Sequence, residues 1–181
     1  MPRRERKTWI IYPEYFDRSN SRSNGRRVPK NVAVKNPKIE EIGKGKGKGY
    51  NMNAPLAHGN GEEAVQDIVH DIFLPIAEQF DPDLILVSSG FDSHHADRMG
   101  GLHLTVDFFG DLIKQYQNIQ SKIVCTLEGG YNLDWIGKCL VSQVGQLAGF
   151  PQHFDDATTE KNTSEQVYKK LKKKLQPFWK L

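Results

Sequence analysis

Asp92 and Tyr131 are the side chains of this sequence whose types and settings point to chemistry. Asp92 closes Ser88-Ser-Gly-Phe-Asp92, directly after the apolar run Leu84-Ile-Leu-Val87, and Gly90 permits a backbone turn that other residues resist. A carboxylate placed there can ligate a hard or borderline cation such as Zn²⁺. Tyr131 follows Gly129-Gly130, two residues that let a phenol reach a cleft and donate a hydrogen bond to a carbonyl oxygen developing charge. Such a donor contributes about 2.7 to 4 kcal/mol in a transition state. Taken singly, Asp92 also reads as a turn or helix N-cap carboxylate and Tyr131 as a half-buried packing residue. Both follow apolar strands, however, and working residues gather at the carboxyl ends of strands in open parallel sheets.

The elements that must position them are legible from periodicity. Leu84–Val87 and Lys122–Leu127 are continuously apolar, the pattern of parallel strands buried on both sides. A helix is predicted from about Gly61 to Phe80, with Asn60 as cap, Glu63 completing a capping box, and Ala64, Ile68 and Ile72 with Val65, Val69 and Ile76 as its apolar face. A second helix begins at Thr105 and carries Phe108, Phe109, Leu112, Ile113 and Tyr116 on one side. A third runs through Trp135, Leu140, Val144 and Leu147, and a last one near Thr163–Leu175 shows Val167, Leu171 and Leu175 as a stripe among solvated lysines. Strand, helix, strand, helix predicts a parallel α/β sheet.

The first part of the chain differs in kind. Thr8–Tyr12 reads as a short strand opening a small element, and Arg18–Arg27 as a polar, basic loop. Lys44-Gly-Lys-Gly-Lys-Gly49 reads as a flexible turn and marks a boundary. Up to Lys48 the chain holds 14 Lys+Arg and 5 Asp+Glu, a balance of +9. The totals of 25 and 22 then leave 11 and 17, or −6, so the two pieces suit different partners. Cys125 and Cys139 are far apart and form no Cys-x-x-Cys pair, which argues against thiolate-metal or disulfide frameworks. With no long apolar run and no signal-peptide pattern, a cytoplasmic protein is expected.

Asp83-Leu-Ile-Leu-Val-Ser-Ser-Gly-Phe-Asp-Ser-His94, Asp97-Arg-Met-Gly-Gly-Leu102 and Leu127-Glu-Gly-Gly-Tyr-Asn-Leu133 together resemble the zinc-dependent histone deacetylase family and its acetoin-utilisation and acetylpolyamine amidohydrolase relatives. Lys46–Leu56 and Pro177–Lys180 resemble further segments of that family, so residues 43–181 are similar to its C-terminal half. The resemblance implies an incomplete three-layer arginase/deacetylase-like α/β fold with a short basic N-terminal arm. It makes Asp92 one of three protein ligands to Zn²⁺, Tyr131 the transition-state donor, and Met99, Gly129 and Gly130 residues of an acyl-lysine channel. The implied reaction is hydrolysis of acetyl-lysine or acetyl-amine amides by a metal-bound water whose pKa falls to about 7. The family's Asp-x-His and tandem-histidine motifs are not in this sequence. His94-His95 belongs to the Gly-Phe-Asp motif, His58-Gly-Asn60 reads as a turn, and Arg98 stands where the family usually has proline. The expectation is therefore a chain inactive alone, with activity requiring another chain to complete the site.

Residues 1–42 resemble a second family. Trp9–Asp17, Ser21–Lys30 and Ala33–Ile42 are similar to the N-terminal part of the nineteen-kilodalton protein of the signal recognition particle. By that resemblance Arg22, Arg26, Arg27 and Lys30 contact the particle's RNA, and clustered cations around Gly25 suit phosphate binding. An RNA-binding fragment is the alternative function.

Overall fold

A computed structural model of the chain describes residues 7–11, 38–159 and 161–181. Its sheet has three parallel strands, β1 (Thr8–Ile11), β2 (Leu84–Ser89) and β3 (Ile123–Leu127), in the order β1-β2-β3. Trp9 stands beside Ile85 and Ile123 in one register row, and Ile10 beside Leu86 and Val124 in the next. β1 thus lies within the sheet, paired along its whole length with β2.

β2 has a strand on each side and is largely buried, as its continuous apolar run requires. β3, read from the same kind of run as buried on both faces, is instead an edge strand. Val124 and Leu127 are about half exposed, because no described strand lies beyond it.

The long helix expected from Gly61 to Phe80 is divided into α1 (Glu62–Ile68), a π-helical turn (Val69–Phe73) and α2 (Leu74–Phe80). Pro75 accounts for the break, since it has no N–H to donate and its ring collides with the carbonyl four residues back in a regular helix. The apolar positions remain correct: Ala64, Ile68, Ile72 and Ile76 are buried. The capping expectation is not met. Gly61 is the N-cap, while Asn60 spends its side chain on Ala57 and Thr163, and Glu62 rather than Glu63 reaches a partner, accepting from Thr105 N–H at 2.9 Å.

α3 (Val106–Gln117) buries the predicted Phe108, Phe109, Leu112, Ile113 and Tyr116. α4 (Ile136–Ala148) lies against α3 with its polarity reversed. It buries Cys139, Ser142 and Gln143, and Gly110 of α3 comes so near that a Cβ there would sit 2.7 Å from Ser142 Oγ. Leu140, Val141 and Val144 are turned outward, 41%, 47% and 50% exposed. α5 (Glu165–Leu175) matches its expected stripe, with Leu171 and Leu175 fully buried.

The glycine–lysine segment is anchored, contrary to the flexible turn predicted. Gly45–Gly47 form a 3₁₀ turn, Trp179 Nε1 donates to Gly49 O at 2.7 Å, and a Cβ on Gly49 would lie 2.5 Å from Phe178. Gly49 also has φ +89°, so both backbone shape and space demand glycine. Cys139 is fully buried and burial pushes its thiol up to about 12, while Cys125 is half-buried with its pKa also raised by burial. Both are inert thiols, in keeping with their spacing. Among the described residues no helix is long and apolar enough to cross a membrane.

Candidate functional site

Asp92 stands just beyond the carboxyl end of β2 and is 4% exposed. Its position is set by two close backbones. A Cβ on Gly100 would fall 1.5 Å from Asp92 O, and one on Gly129 would fall 3.0 Å from both Cγ and Oδ1 of its carboxylate. Gly129 comes from the loop after β3, so the expected channel glycine lies directly against the expected metal ligand. Gly130 has φ +124° and would place a Cβ 3.1 Å from Phe91 Cβ, so it too accepts no side chain without strain.

The two motif loops are joined by Asp97. Its Oδ1 accepts from Met99 N–H at 2.8 Å, and its Oδ2 accepts from Tyr131 N–H at 2.6 Å and Asn132 N–H at 3.0 Å. Asn132 Nδ2 donates to Ala96 O at 2.7 Å and closes the same junction. Tyr131 is therefore held by its backbone while its side chain is 60% exposed. Met99 is also about half exposed on the same junction. Asp97 is the positioning residue here. Its place within the Asp97-Arg-Met-Gly-Gly segment is visible in the sequence, but three accepted hydrogen bonds cannot be read from a motif.

His94 and His95, next along the loop, face the segment after α4. Asp156, itself 3% exposed, accepts from His94 Nε2 at 3.0 Å, from His95 Nε2 at 2.7 Å and from Val106 N–H at 2.9 Å. It thereby satisfies an orphan donor at the start of α3, a task that Thr105, the expected cap, does not perform with its own side chain. His94 is stacked on Trp135 at 4.9 Å, and Lys138 lies over the Trp135 ring at 3.8 Å. Burial lowers the His94 pKa more than the hydrogen bond to Asp156 raises it. For Asp156 burial acts upward, but hydrogen bonds from His95, Val106 and His94 outweigh it and hold the carboxyl below its usual range. Asp156 was missed because the polar stretch beyond Gly149 has no periodicity.

These three side chains are the one cluster of metal-ligand types among the described residues, with ligand atoms within 4.8 Å of one another. Their hydrogen bonds mark them as a clamp instead. Ala96 N–H donates to His94 Nδ1 at 3.2 Å, which places the ring proton on Nε2, where it is given to Asp156. Asp92 belongs to no such cluster. A catalytic zinc needs three protein ligands and an open position, so the described residues do not fit one by themselves and supply a single ligand of the set.

His58 lies in a turn, as expected, with its ring 5.9 Å from that of His103. A cavity of about 680 Å³ lies under β1, lined by Trp9, Met52, Phe73, Phe108 and Tyr116 among others, and neither Asp92 nor Tyr131 borders it. The predicted RNA contacts Arg22, Arg26, Arg27 and Lys30 lie outside the described residues.

Comparison with known proteins agrees with both halves of the sequence reading. Residues 35–147 match the family profile described as Histone deacetylase domain, and residues 10–53 match the profile described as SRP19 protein. Histone deacetylase 14, chloroplastic, of Arabidopsis thaliana is 37% identical over 117 residues, which are 62% of this chain and 28% of that protein. A probable deacetylase of Archaeoglobus fulgidus is 33% identical over 100 residues, 52% of this chain and 28% of the relative. Among solved structures, histone deacetylase Clr3 superposes with a TM-score of 0.72 at 28% identity, over 78% of this chain and 24% of its own. The HDA15 HD domain gives 0.72 at 27% identity, over 81% of this chain and 41% of its own. The chain thus spans between about a quarter and two fifths of the length of these relatives, and its fold is the arginase/deacetylase fold in part.

Proposed function

Because the chain belongs to the histone deacetylase domain family, we propose that it carries one side of a metal-dependent amide-hydrolase site and hydrolyses acetyl-lysine or acetyl-amine amides only when a second polypeptide completes that site. The observation that supports this reading is the convergence of Asp92, Gly129 and the Tyr131 loop at the carboxyl ends of β2 and β3, stapled by Asp97. In this reading Asp92 is one zinc ligand, and Met99, Gly129 and Gly130 border the acyl channel. Tyr131 donates its phenolic proton to the carbonyl oxygen as charge develops there.

The test is zinc titration of the full chain followed by hydrolysis of an acetyl-lysine peptide. The chain alone is expected to bind less than 0.1 equivalent of zinc at micromolar concentration, on the order expected for one carboxylate, and to release no acetate above the uncatalysed rate. Equimolar zinc with turnover by the chain alone would falsify the half-site reading.

A second reading is favoured by the match of residues 10–53 to the SRP19 protein profile. In it the basic arm binds signal recognition particle RNA through Arg22, Arg26, Arg27 and Lys30. Affinity then falls steeply with salt, and changing Arg26 and Arg27 together to alanine lowers the slope of log K against log salt by about 1.5 to 2, two phosphate contacts' worth. Filter binding across a salt series measures this, and a slope unchanged by the double substitution rejects it.

A further inference from the structure

The edge formed by β3 and the outer stripe of α4 has the character of an interface. α4 directs its small and polar residues, Cys139, Ser142 and Gln143, at α3 and its larger apolar ones, Leu140, Val141 and Val144, at solvent. This inverts the arrangement of a surface helix, whose apolar stripe ordinarily faces the core. β3 presents an unpaired edge, and Ile123-Val-Cys-Thr-Leu127 contains no lysine, proline or inward charge to blunt it. Val124, Leu127, Leu140, Val141, Val144 and Phe150 together expose roughly 600 Å² by side-chain size, the upper end for the largest apolar patch of a monomer.

We infer that this side is the docking surface for a polypeptide carrying the remainder of a deacetylase-type parallel sheet, which adds a strand parallel to β3 and covers Leu140, Val141 and Val144. The inference rests on the half-site reading above and names the partner and its place. Two observations choose this occupant over a second copy of the chain. Solved relatives share this fold at a TM-score of 0.72 yet carry polypeptide well beyond the 24% and 41% of their length that this chain covers. Geometry decides further: two copies related by a two-fold axis normal to the sheet would pair β3 with β3 antiparallel, placing the carboxyl ends of the two sheets at opposite ends. Such a dimer covers apolar surface but brings nothing to Asp92. A strand added parallel puts its own carboxyl end, and the residues following it, beside Asp92 and Tyr131.

The test co-expresses the full chain with the part of the Archaeoglobus fulgidus probable deacetylase that lies outside its aligned 100 residues. The complex is read by light scattering and native mass. A 1:1 complex is expected. Changing Leu140 and Val144 together to lysine, at exposed positions that leave the fold intact by circular dichroism, should weaken it about 100-fold. Asp92→Ala should leave it unchanged, since that residue acts on metal and not on docking. Absence of a complex, a complex indifferent to the two lysines, or a dimer of this chain that they dissolve each overturns the inference. A 1:1 complex that binds no zinc leaves the docking surface standing and overturns the half-site reading instead.

Discussion

Gly100→Ala is expected to lower the stability of the chain by about 3 kcal/mol, at the upper end of the usual cost of overpacking, and with it the midpoint of thermal unfolding by roughly 10 °C. The added methyl carbon has nowhere to go: its ideal position is 1.5 Å from Asp92 O and 2.4 Å from Asp92 C, and the obstacle is backbone, which cannot rotate aside. Relief requires moving either the Met99–Gly101 segment, tied to the Tyr131 loop through Asp97, or the turn that bears Asp92. Gly129→Ala makes the instructive contrast. Its Cβ would meet the Asp92 carboxylate at 3.0 Å, a side chain that can turn, so the expected loss of stability is about 1 kcal/mol. Urea unfolding of both variants beside the parent measures the pair. A Gly100→Ala midpoint equal to the parent's would mean that the two loops do not approach as described.

That close approach was invisible in the sequence, although the residues that make it were not. Gly90, Gly129 and Gly130 drew notice because glycine beside a strand end signals a turn, whereas Gly100 passed as part of a motif. Strand and helix positions followed from hydrophobic periodicity, which survives at β2, α3 and α5 because each buries a face within the described residues. The same signal overreached at β3 and α4. Their apolar residues are real, but periodicity reports that a residue avoids water and not what covers it, and here no described element does. Helix caps failed for another reason. Asn60, Glu62 and Thr105 bond to groups 43 or 103 positions away in sequence, which no local pattern encodes. Of the site itself, Asp92 and the Tyr131 loop were legible because each ends an apolar strand. Asp97 and Asp156 were not, since their work is done across loops.

Asp156→Ala should cost about 3 kcal/mol at neutral pH, by the scale for removing one partner from buried charge-assisted hydrogen bonds. The substitution deprives His94, His95 and the Val106 N–H of their shared acceptor at once, and of these His94 and Val106 are almost wholly buried. Acid titration separates this clamp from a mere packing role. His94 is held below its ordinary value of 6.5, chiefly by burial, so the unfolded chain takes up a proton there before the folded one does. Stability from this group is complete above about pH 6.5 and is lost as pH falls toward the folded pKa. Asp156, held below its ordinary 3.8 by hydrogen bonds that outweigh its burial, contributes above that value and loses its contribution below it. The parent should therefore weaken in two windows, one below pH 6.5 and one below pH 3.8. Only the first should survive in the variant, so the difference between parent and variant should shrink below about pH 4 as Asp156 is protonated. Urea midpoints measured from pH 3 to pH 8 would show it. A difference that stays constant over that range would mean that Asp156 stabilises through its volume and not through its charge, and the clamp would then have to be rebuilt on packing alone.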